Sequence, residues 1–248
     1  MDNDGMCTDK LKEVLQKHKI KLLYVIPHHH HPTTVTMSVE RRNELLQIIN
    51  ANNFAVIEDD YDYDFHYKYE PYLPLASGDH GGRVIYIGSL SKVLGSSFRI
   101  GYMIATSDFL ESARRLRILI DLQGNTIFEN AIASFIENGD LSRHIQKTNR
   151  IYAHRCTVLS DLIRNELAEV VSFTKPSGGM ALWLEFKPEY DVSKIINKAN
   201  MKGLILQGIP YYQDTDSKIN AFRFGFASVN EQKLVHAVQI LKSAINSI

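Results

Sequence analysis

A short apolar run that ends in hydroxyl and basic side chains is the feature that most constrains this chain. Val84–Ile87 leads into Ser89, Ser91 and Lys92, and Arg99 lies seven residues beyond the lysine. A continuous apolar run of this length, bounded by a turn, is typical of a buried strand. The pattern therefore predicts a strand that delivers one amine, two hydroxyls and a guanidinium to the turn that follows it.

This set of side chains suits a ligand that carries both a carbonyl group and a phosphate. Pyridoxal phosphate is the common ligand of that kind, and Lys92 is the candidate for the lysine that forms a Schiff base with it. The alternative is a solvated loop lysine, because Ser-x-Ser-Lys also occurs by chance.

A second apolar run, Phe54–Ile57, leads into carboxylates and tyrosines at positions 58–65. Aspartates usually stay in water, so aspartates at the end of a buried strand require a cationic partner. The protonated pyridine nitrogen of pyridoxal phosphate is such a partner, and a nearby tyrosine can hydrogen-bond the phenolic oxygen of the ring. Both runs are therefore interpreted as parts of one cofactor site.

Together the two stretches resemble the fold type I, class I and II aminotransferases, and most closely the effector domain of MocR-type regulators in the GntR superfamily. In that subgroup one strand ends in Glu-Asp-Asp-Tyr-Asp-x-Glu-Phe. A later strand ends in Ser-x-Ser-Lys, followed by an Arg-x-Gly-Tyr-like segment. The corresponding residues here are 58–65, 89–92 and 99–102. The resemblance extends over nearly the whole chain.

The resemblance implies a role for each matching residue. Asp59 would be the partner of the pyridine nitrogen, Tyr61 the partner of the phenolic oxygen, and Lys92 the Schiff-base lysine; these three are the candidate catalytic residues. The implied cofactor-binding set also contains the phosphate ligands, and its members are Asp59, Tyr61, Ser89, Ser91, Lys92 and Arg99.

A further arginine, Arg223, lies within the apolar segment Phe222–Phe226. An unpaired guanidinium is costly among apolar side chains. Its planar, bidentate donors match a carboxylate, and the resembling family uses an arginine in this Arg-x-Gly-Phe setting for the α-carboxylate of the substrate. Arg223 is thus the predicted substrate-binding residue, and the alternative is a structural ion pair with a buried acid.

The fold implied by the resemblance is α/β. Residues 1–139 would form the C-terminal part of a large cofactor-binding domain with a mostly parallel sheet and flanking helices, and residues 140–248 a bridging helix and a small α+β domain. Leu22–Ile26 is predicted to be a parallel strand covered on both faces, and Met37–Asn52 a helix capped by Ser38. In the small domain we predict four strands, at residues 170–174, 180–186, 204–206 and 222–226.

Composition excludes several function classes. The formal net charge is zero and the pI about 7.2, so no basic field favours nucleic acid as a partner of this chain. The two cysteines lack Cys-x-x-Cys spacing, which argues against a disulfide framework or thiolate metal site and favours a reducing compartment, the cytoplasm. No apolar run approaches the ~20 residues that cross a bilayer.

Four consecutive histidines, His28–His31, raise the question of a metal site. Neighbouring side chains rarely converge on one ion, and no Cys or His cluster at ligand spacing accompanies them. We therefore predict no dedicated metal site, with adventitious metal affinity as the alternative.

In relatives, a Gly/Ser-rich phosphate loop and, in regulators, a winged helix precede the region matched here. This chain is therefore expected to be the C-terminal part of a longer protein, a truncated open reading frame or a fragment. The resemblance also implies a homodimer, with the loop Tyr67–Asp79 near the partner subunit. Three functions remain open. They are an effector domain that senses cofactor or amine without turnover, part of an aminotransferase acting between an amino acid and a 2-oxo acid, and a remnant that no longer binds cofactor.

Overall fold

Two separate β-sheets organise the chain. The structure is a computed structural model that describes residues 1–67, 72–207 and 219–248. Residues 68–71 of the predicted loop Tyr67–Asp79 lie outside the described residues, and the part that follows contains a 3₁₀ turn, Leu75–Ser77. The chain divides into two compact units: residues 1–30 with 35–148, and residues 31–34 with 149–248. The predicted boundary after residue 139, between the large cofactor-binding domain and the bridging helix with the small domain, stays a prediction.

The first unit contains a four-stranded sheet in the order β1-β2-β3-β4. Its strands are β1 (Leu22–Val25), β2 (Ala55–Asp60), β3 (Val84–Ser89) and β4 (Gly101–Ile104). Its helices are α1 (Thr8–Lys17), α2 (Val39–Ala51), α3 (Ser91–Leu94), α4 (Ser107–Asp121) and α5 (Thr126–Glu137). The first three strands are parallel and β4 is antiparallel to β3. The predicted mostly parallel sheet is therefore confirmed.

Apolar side chains from strands and helices form the core of the first unit. Val56 of β2 and Val84 of β3 belong to one buried cluster with Leu45 and Ile49 of α2. Burying a side chain of this size contributes about 1.5–3 kcal/mol relative to leaving it exposed. This packing holds the carboxyl ends of β1, β2 and β3 at one edge of the sheet.

Two predictions about local structure had different outcomes. Helix α2 is capped as predicted, since the Ser38 hydroxyl accepts a hydrogen bond of 3.3 Å from the Arg41 N–H. The prediction that β1 is covered on both faces is wrong, because Leu22 is 52% exposed and Tyr24 is 56% exposed. β1 is an edge strand of the described sheet, so one row of its side chains meets solvent.

The second unit contains an antiparallel sheet in the order β5-β6-β7. Its strands are β5 (Val171–Ser172), β6 (Ala181–Phe186) and β7 (Ala221–Gly225), and its helices are α7 (Val192–Met201) and α8 (Glu231–Ile245). Helix α6 (Asp140–Leu167) begins in the first unit and ends in the second. The rings of Phe186 and Phe222 stack at 5.4 Å between centroids. This is the predicted small α+β module.

The strand predicted at residues 204–206 is wrong. The Leu206 N–H donates to the Asn200 side-chain oxygen at 2.8 Å, the Leu204 N–H donates to the Ala199 carbonyl oxygen, and Ile205 is 79% exposed. The segment is tied back to the end of α7 by these bonds. An apolar run of three residues is too short to specify a strand when local bonds of this kind compete.

The described helices include none that is long and apolar enough to span a bilayer. Helix α4 buries none of its side chains, and with the turn after it forms an exposed apolar surface in the first unit. Leu119 and Leu122 are each 82% exposed, and Ile120 is 84% exposed. Exposed apolar surfaces of this kind are typical of contact sites.

Candidate active site

The predicted cofactor-binding residues lie where β2 and β3 end. Asp59 is the fifth residue of β2 and is in register with Ile87 of β3. Lys92 lies in α3, immediately after β3. Because the strands are parallel, Asp59 and the turn that carries Lys92 share one edge of the sheet. The two halves of the predicted constellation are thus brought to the same edge.

The Lys92 side chain is exposed, and its amine has no hydrogen-bond or ion-pair partner among the residues that the structure describes. Ser89 ends β3, and its hydroxyl accepts a hydrogen bond of 3.3 Å from the Ser91 N–H. A surface lysine in this position is not needed for folding contacts. Its amine is available to a ligand.

Arg99 returns to the same loop as the lysine. A bond of 3.0 Å from the Leu90 N–H to the Ile100 carbonyl oxygen closes the loop between β3 and β4. Arg99 is exposed and has a backbone φ of 50°, in the left-handed region. A non-glycine residue held there costs about 1–3 kcal/mol, and such strain clusters at ligand sites. Because the bond between Leu90 and Ile100 closes this loop, Ser89, Ser91, Lys92 and Arg99 all lie on it.

Strand alternation separates Asp59 from its neighbours in β2. Glu58 and Asp60 are buried, 0% and 2% exposed, whereas Asp59 between them is half-buried. Successive side chains of a strand point to opposite faces, so Asp59 faces away from the other two carboxylates. Its carboxylate accepts a hydrogen bond from the Tyr24 hydroxyl of β1. Asp59 is the acid of this strand that a ligand can reach.

The buried Glu58 is held by backbone donors. Its two carboxylate oxygens accept bonds from the N–H groups of Leu75 (2.8 Å) and Ala76 (2.9 Å). Burial raises the pKa of Glu58 to about 7, against the lowering effect of these bonds and of Arg42. Glu58 therefore anchors the 3₁₀ turn and takes up a proton near neutral pH.

Arg42 of α2 is a buried cation, 5% exposed, and its charge acts on Glu58. It donates to three backbone carbonyl oxygens, those of Pro27, Met37 and Leu73, at 2.9–3.0 Å. Its guanidinium thus ties α2 to the turn that follows β1 and to the segment before the 3₁₀ turn.

Two histidines of the predicted His28–His31 run pair with buried aspartates. His28 Nδ1 lies 2.9 Å from Asp60 Oδ2, and His29 Nδ1 lies 3.0 Å from Asp62 Oδ1. All four side chains are at most 2% exposed. The rings of these adjacent histidines therefore bond different acids.

The His28 ring faces a second acceptor as well as Asp60. Its Nε2 lies 2.8 Å from the Tyr72 carbonyl oxygen. A ring that carries protons on both nitrogens satisfies the two acceptors at once. The His28 ring therefore connects the end of β2 to the segment before the 3₁₀ turn.

One group within the described residues meets the distance requirement for a metal. Ligand atoms of His28, Glu58 and Asp60 lie within 4.8 Å of one another. Both carboxylate oxygens of Glu58 and both ring nitrogens of His28 already have protein partners. Asp60 Oδ1 is buried without a partner in the described chain. The present contacts are those of a hydrogen-bonded cluster.

Arg223 lies in the second unit, in β7, opposite Trp183 of β6. Its Nε is buried without a hydrogen-bond partner, and no ion pair to Arg223 occurs among the described residues. The alternative of a structural ion pair with a buried acid has no support in that part of the chain. The substrate-binding role stays a prediction.

Solved aminotransferase structures share this fold. The kynurenine aminotransferase of Pyrococcus horikoshii, in complex with PMP, superposes with a TM-score of 0.92 at 28% identity. The multiple substrate aminotransferase of Thermococcus profundus gives a TM-score of 0.92 at 31% identity. Each match covers 100% of this chain and 62% of the other. The architecture is that of pyridoxal-phosphate-dependent aminotransferases.

The chain belongs to the class I and II aminotransferase family, whose family model matches residues 2–241. The aromatic-amino-acid aminotransferase 1 of Thermococcus litoralis is 32% identical over 251 residues, covering 99% of this chain and 60% of that protein. The uncharacterized HTH-type transcriptional regulator YdeL of Bacillus subtilis is 29% identical over 244 residues, covering 98% and 52%. The chain therefore spans about half to three fifths of these relatives.

Sequence reasoning missed the partners of the buried histidines. It compared the histidines only with one another and with cysteines, whereas their partners are acids that follow the next strand. The signal was available in principle, because polar residues that follow neighbouring parallel strands meet at one edge of the sheet. The roles of Arg42 and Glu58 were missed for the same reason.

Proposed function

We propose that this chain is a pyridoxal-phosphate-binding, aminotransferase-like domain that holds the cofactor through Lys92, and that it forms the effector part of a MocR-type transcriptional regulator. One observation carries the proposal. The Lys92 amine, without a partner in the described chain, lies in one loop with Ser89, Ser91 and Arg99, at the sheet edge that also presents Asp59.

The residues present fit the cofactor. Pyridoxal phosphate supplies an aldehyde that condenses with amines and a protonated ring that withdraws electrons from the carbon next to the bound nitrogen. Arg99 and the two serines offer donors of the kind that bind a phosphate. The half-buried carboxylate of Asp59 offers the counter-charge that a pyridine nitrogen needs.

The proposal gives each residue a task. Asp59 balances the charge of the ring nitrogen, and its bond from the Tyr24 hydroxyl orients the carboxylate. Tyr61 is the hydrogen-bond partner of the phenolic oxygen. Lys92, once released by an incoming amine, moves a proton at the substrate's Cα. Arg223, whose Nε is unpartnered among the described residues, binds the carboxylate of an amino acid.

The regulator is proposed because HTH-type regulators recur among the relatives. They include YdeL and the regulator TauR of Rhodobacter capsulatus, which is 25% identical over 228 residues. An amino acid or amine is the proposed ligand, a homodimer the proposed assembly, and the cytoplasm the proposed compartment. The thiols of Cys7 and Cys156 are both free, which supports a reducing environment.

A second function, turnover as part of an aminotransferase, is favoured by a different observation. The Thermococcus litoralis relative is named for that activity and is 32% identical to this chain. Under this proposal the amino group passes between an amino acid and a 2-oxo acid. Loss of cofactor binding in a remnant is the third possibility, and the same experiment decides among them.

The test is an absorbance titration with pyridoxal phosphate. The chain should develop the near-visible band of a lysine-bound cofactor, and Lys92→Ala should abolish it. Lys147→Ala, which removes another exposed lysine of the first unit, is the matched control and should leave the band intact. Borohydride reduction and peptide mapping should label Lys92; a label on another lysine overturns the assignment.

Addition of an amino acid to the loaded chain then separates the functions. Conversion of the band to the amine form of the cofactor, reversed by a 2-oxo acid, indicates transamination. A change of the band without release of a 2-oxo acid indicates sensing without turnover. The lack of any band in wild-type protein indicates the remnant.

A further inference from the structure

Three consecutive residues, the last of β2 and the two that follow it, contact two consecutive residues after β1. Asp60 bonds the His28 ring, the Tyr61 hydroxyl donates to the His29 carbonyl oxygen at 3.0 Å, and Asp62 bonds the His29 ring. His29 is therefore held at two points, by its ring and by its carbonyl. We call His29, Tyr61 and Asp62 the His29 latch.

The His29 latch holds the backbone of His29 in an unfavourable conformation. His29 has a backbone φ of 42°, a left-handed conformation that a residue with a Cβ adopts only when its surroundings hold it. The bond between its ring and Asp62 supplies that hold, in a site where both side chains are at most 2% exposed. The direction of the His29 carbonyl oxygen follows from this conformation.

The His29 carbonyl oxygen is in turn a partner of the Tyr61 hydroxyl. A tyrosine ring rotates about two side-chain bonds, and a bond at its far end selects among the orientations. Asp62 follows Tyr61 in sequence and bonds the His29 ring. By holding His29, Asp62 also fixes the carbonyl oxygen that the Tyr61 hydroxyl bonds.

We propose that His29 and Asp62 are positioning residues for Tyr61. They hold its hydroxyl where it meets the phenolic group of the cofactor. Because the Tyr61 proton is donated to the His29 carbonyl oxygen, the Tyr61 oxygen meets that group as an acceptor, through a free lone pair. The inference rests on the proposed function, because Tyr61 acts there only if pyridoxal phosphate binds. The neighbouring pair of His28 and Asp60 is equally buried and makes the same ring–carboxylate bond, yet the Tyr61 hydroxyl bonds the carbonyl of His29 and not that of His28.

The chain thus contains its own matched control. Asp62→Asn and Asp60→Asn each replace one buried carboxylate by an amide, a change of one atom that weakens one ring–carboxylate pair. If the pairs only support folding, both variants behave alike toward Tyr61. If the His29 latch positions Tyr61, only Asp62→Asn changes how Tyr61 behaves.

The experiment is a double-mutant cycle on cofactor affinity, measured by absorbance on the full chain. Tyr61→Phe and Asp62→Asn should each weaken pyridoxal phosphate binding by about three- to tenfold, the size expected of one hydrogen bond. Their combination should be no weaker than Tyr61→Phe, because both remove the same contact. Asp60→Asn combined with Tyr61→Phe should instead give the product of the single effects.

A second measurement uses the protein without cofactor. With tyrosine labelled at the ring carbon that carries oxygen, Tyr61→Phe identifies the Tyr61 signal by NMR. Asp62→Asn should move that signal and Asp60→Asn should leave it in place. His29→Asn, whose amide nitrogen takes the place of Nδ1 and can donate to Asp62, should keep the signal nearer to wild type than Asp62→Asn does.

The outcomes separate the two proposals. If Lys92→Ala binds the cofactor as wild type does, the proposed function fails whatever the cycle shows. If Lys92 is required but the effects of Asp62→Asn and Tyr61→Phe multiply, the positioning role alone fails. Loss of folding in both Asp62→Asn and His29→Asn, while Asp60→Asn folds, also overturns it, since the pair then serves general stability.

Discussion

Glu58 and His66 should make the folding stability of the first unit depend on pH in opposite directions. Burial raises the pKa of Glu58 from 4.5 to about 7. Burial also lowers the pKa of His66 from 6.5 to about 3, with a smaller contribution from His29 and His28. The His66 ring lies 5.5 Å from that of His28 and 5.3 Å from that of His29.

The sign of each effect follows from proton uptake. Between pH 4.5 and 7 the folded protein keeps a proton on Glu58 that the unfolded chain has lost, so stability falls as pH rises. Between pH 3 and 6.5 the unfolded chain binds a proton on His66 that the folded protein lacks, so stability rises with pH. Each full proton is worth about 1.4 kcal/mol per pH unit.

The two slopes oppose each other between pH 4.5 and 6.5, where wild-type protein should show little net effect from this pair. His66→Asn should expose the contribution of Glu58, a loss of about 3 kcal/mol as pH rises from 4.5 to 7. Glu58→Gln should expose the contribution of His66, a gain of about 1–2 kcal/mol over the overlapping range, reduced because water partly screens the half-buried ring.

The assay is urea unfolding followed by far-ultraviolet circular dichroism across this pH range. Trp183 belongs to the second unit, so tryptophan fluorescence is unsuitable as the probe. Only the difference between variant and wild type at each pH is used, because other titrating groups are common to both. Glu13→Gln, a change at an exposed acid, is the control and should run parallel to wild type. Parallel curves for all variants would refute the opposing-titration argument.

Three other predictions concern Asp59, Arg42 and the exposed apolar surface at α4. Asp59→Asn should weaken cofactor binding at least about thirtyfold, because a partly buried charge partner worth about 2 kcal/mol is lost. An equal effect of Asp60→Asn in the same absorbance titration would contradict the assignment of Asp59 as partner of the pyridine nitrogen. Arg42→Met should lower the free energy of unfolding by about 3–5 kcal/mol. The change removes three bonds to backbone carbonyl oxygens and leaves Glu58 without its cation. A urea midpoint close to wild type would contradict this prediction and show that water replaces the guanidinium. The isolated chain should self-associate through the exposed apolar surface at α4. The double variant Leu119→Lys, Ile120→Glu should then sediment more as a monomer than wild type does. Unchanged sedimentation would place the contact elsewhere.

Local pattern predicted much of the framework because it depends on residues close in sequence. The apolar runs at residues 54–57 and 84–87 became strands β2 and β3, and Ser38 caps α2 through a bond three residues away. The same locality explains a failure. The run at residues 204–206 satisfies a strand pattern, but Asn200 and Ala199 supply nearer partners for its N–H groups.

Motif spacing also located the candidate site, since Asp59, Tyr61 and Lys92 were chosen from short segments and their roles stay predictions. Spacing said nothing about which acid of 58–62 is accessible. Strand alternation and burial decided that, by turning Glu58 and Asp60 inward and leaving Asp59 half-buried.

Tertiary structure alone decided the pairing of the histidines with the aspartates. His28 and Asp60 are 32 residues apart in sequence, and His29 and Asp62 are 33 apart. They meet because β1 and β2 run parallel with Val25 opposite Glu58. A shift of one residue in that register would turn every β2 side chain to the other face. The sequence determined which groups are available, and the register between the strands determined which of them touch.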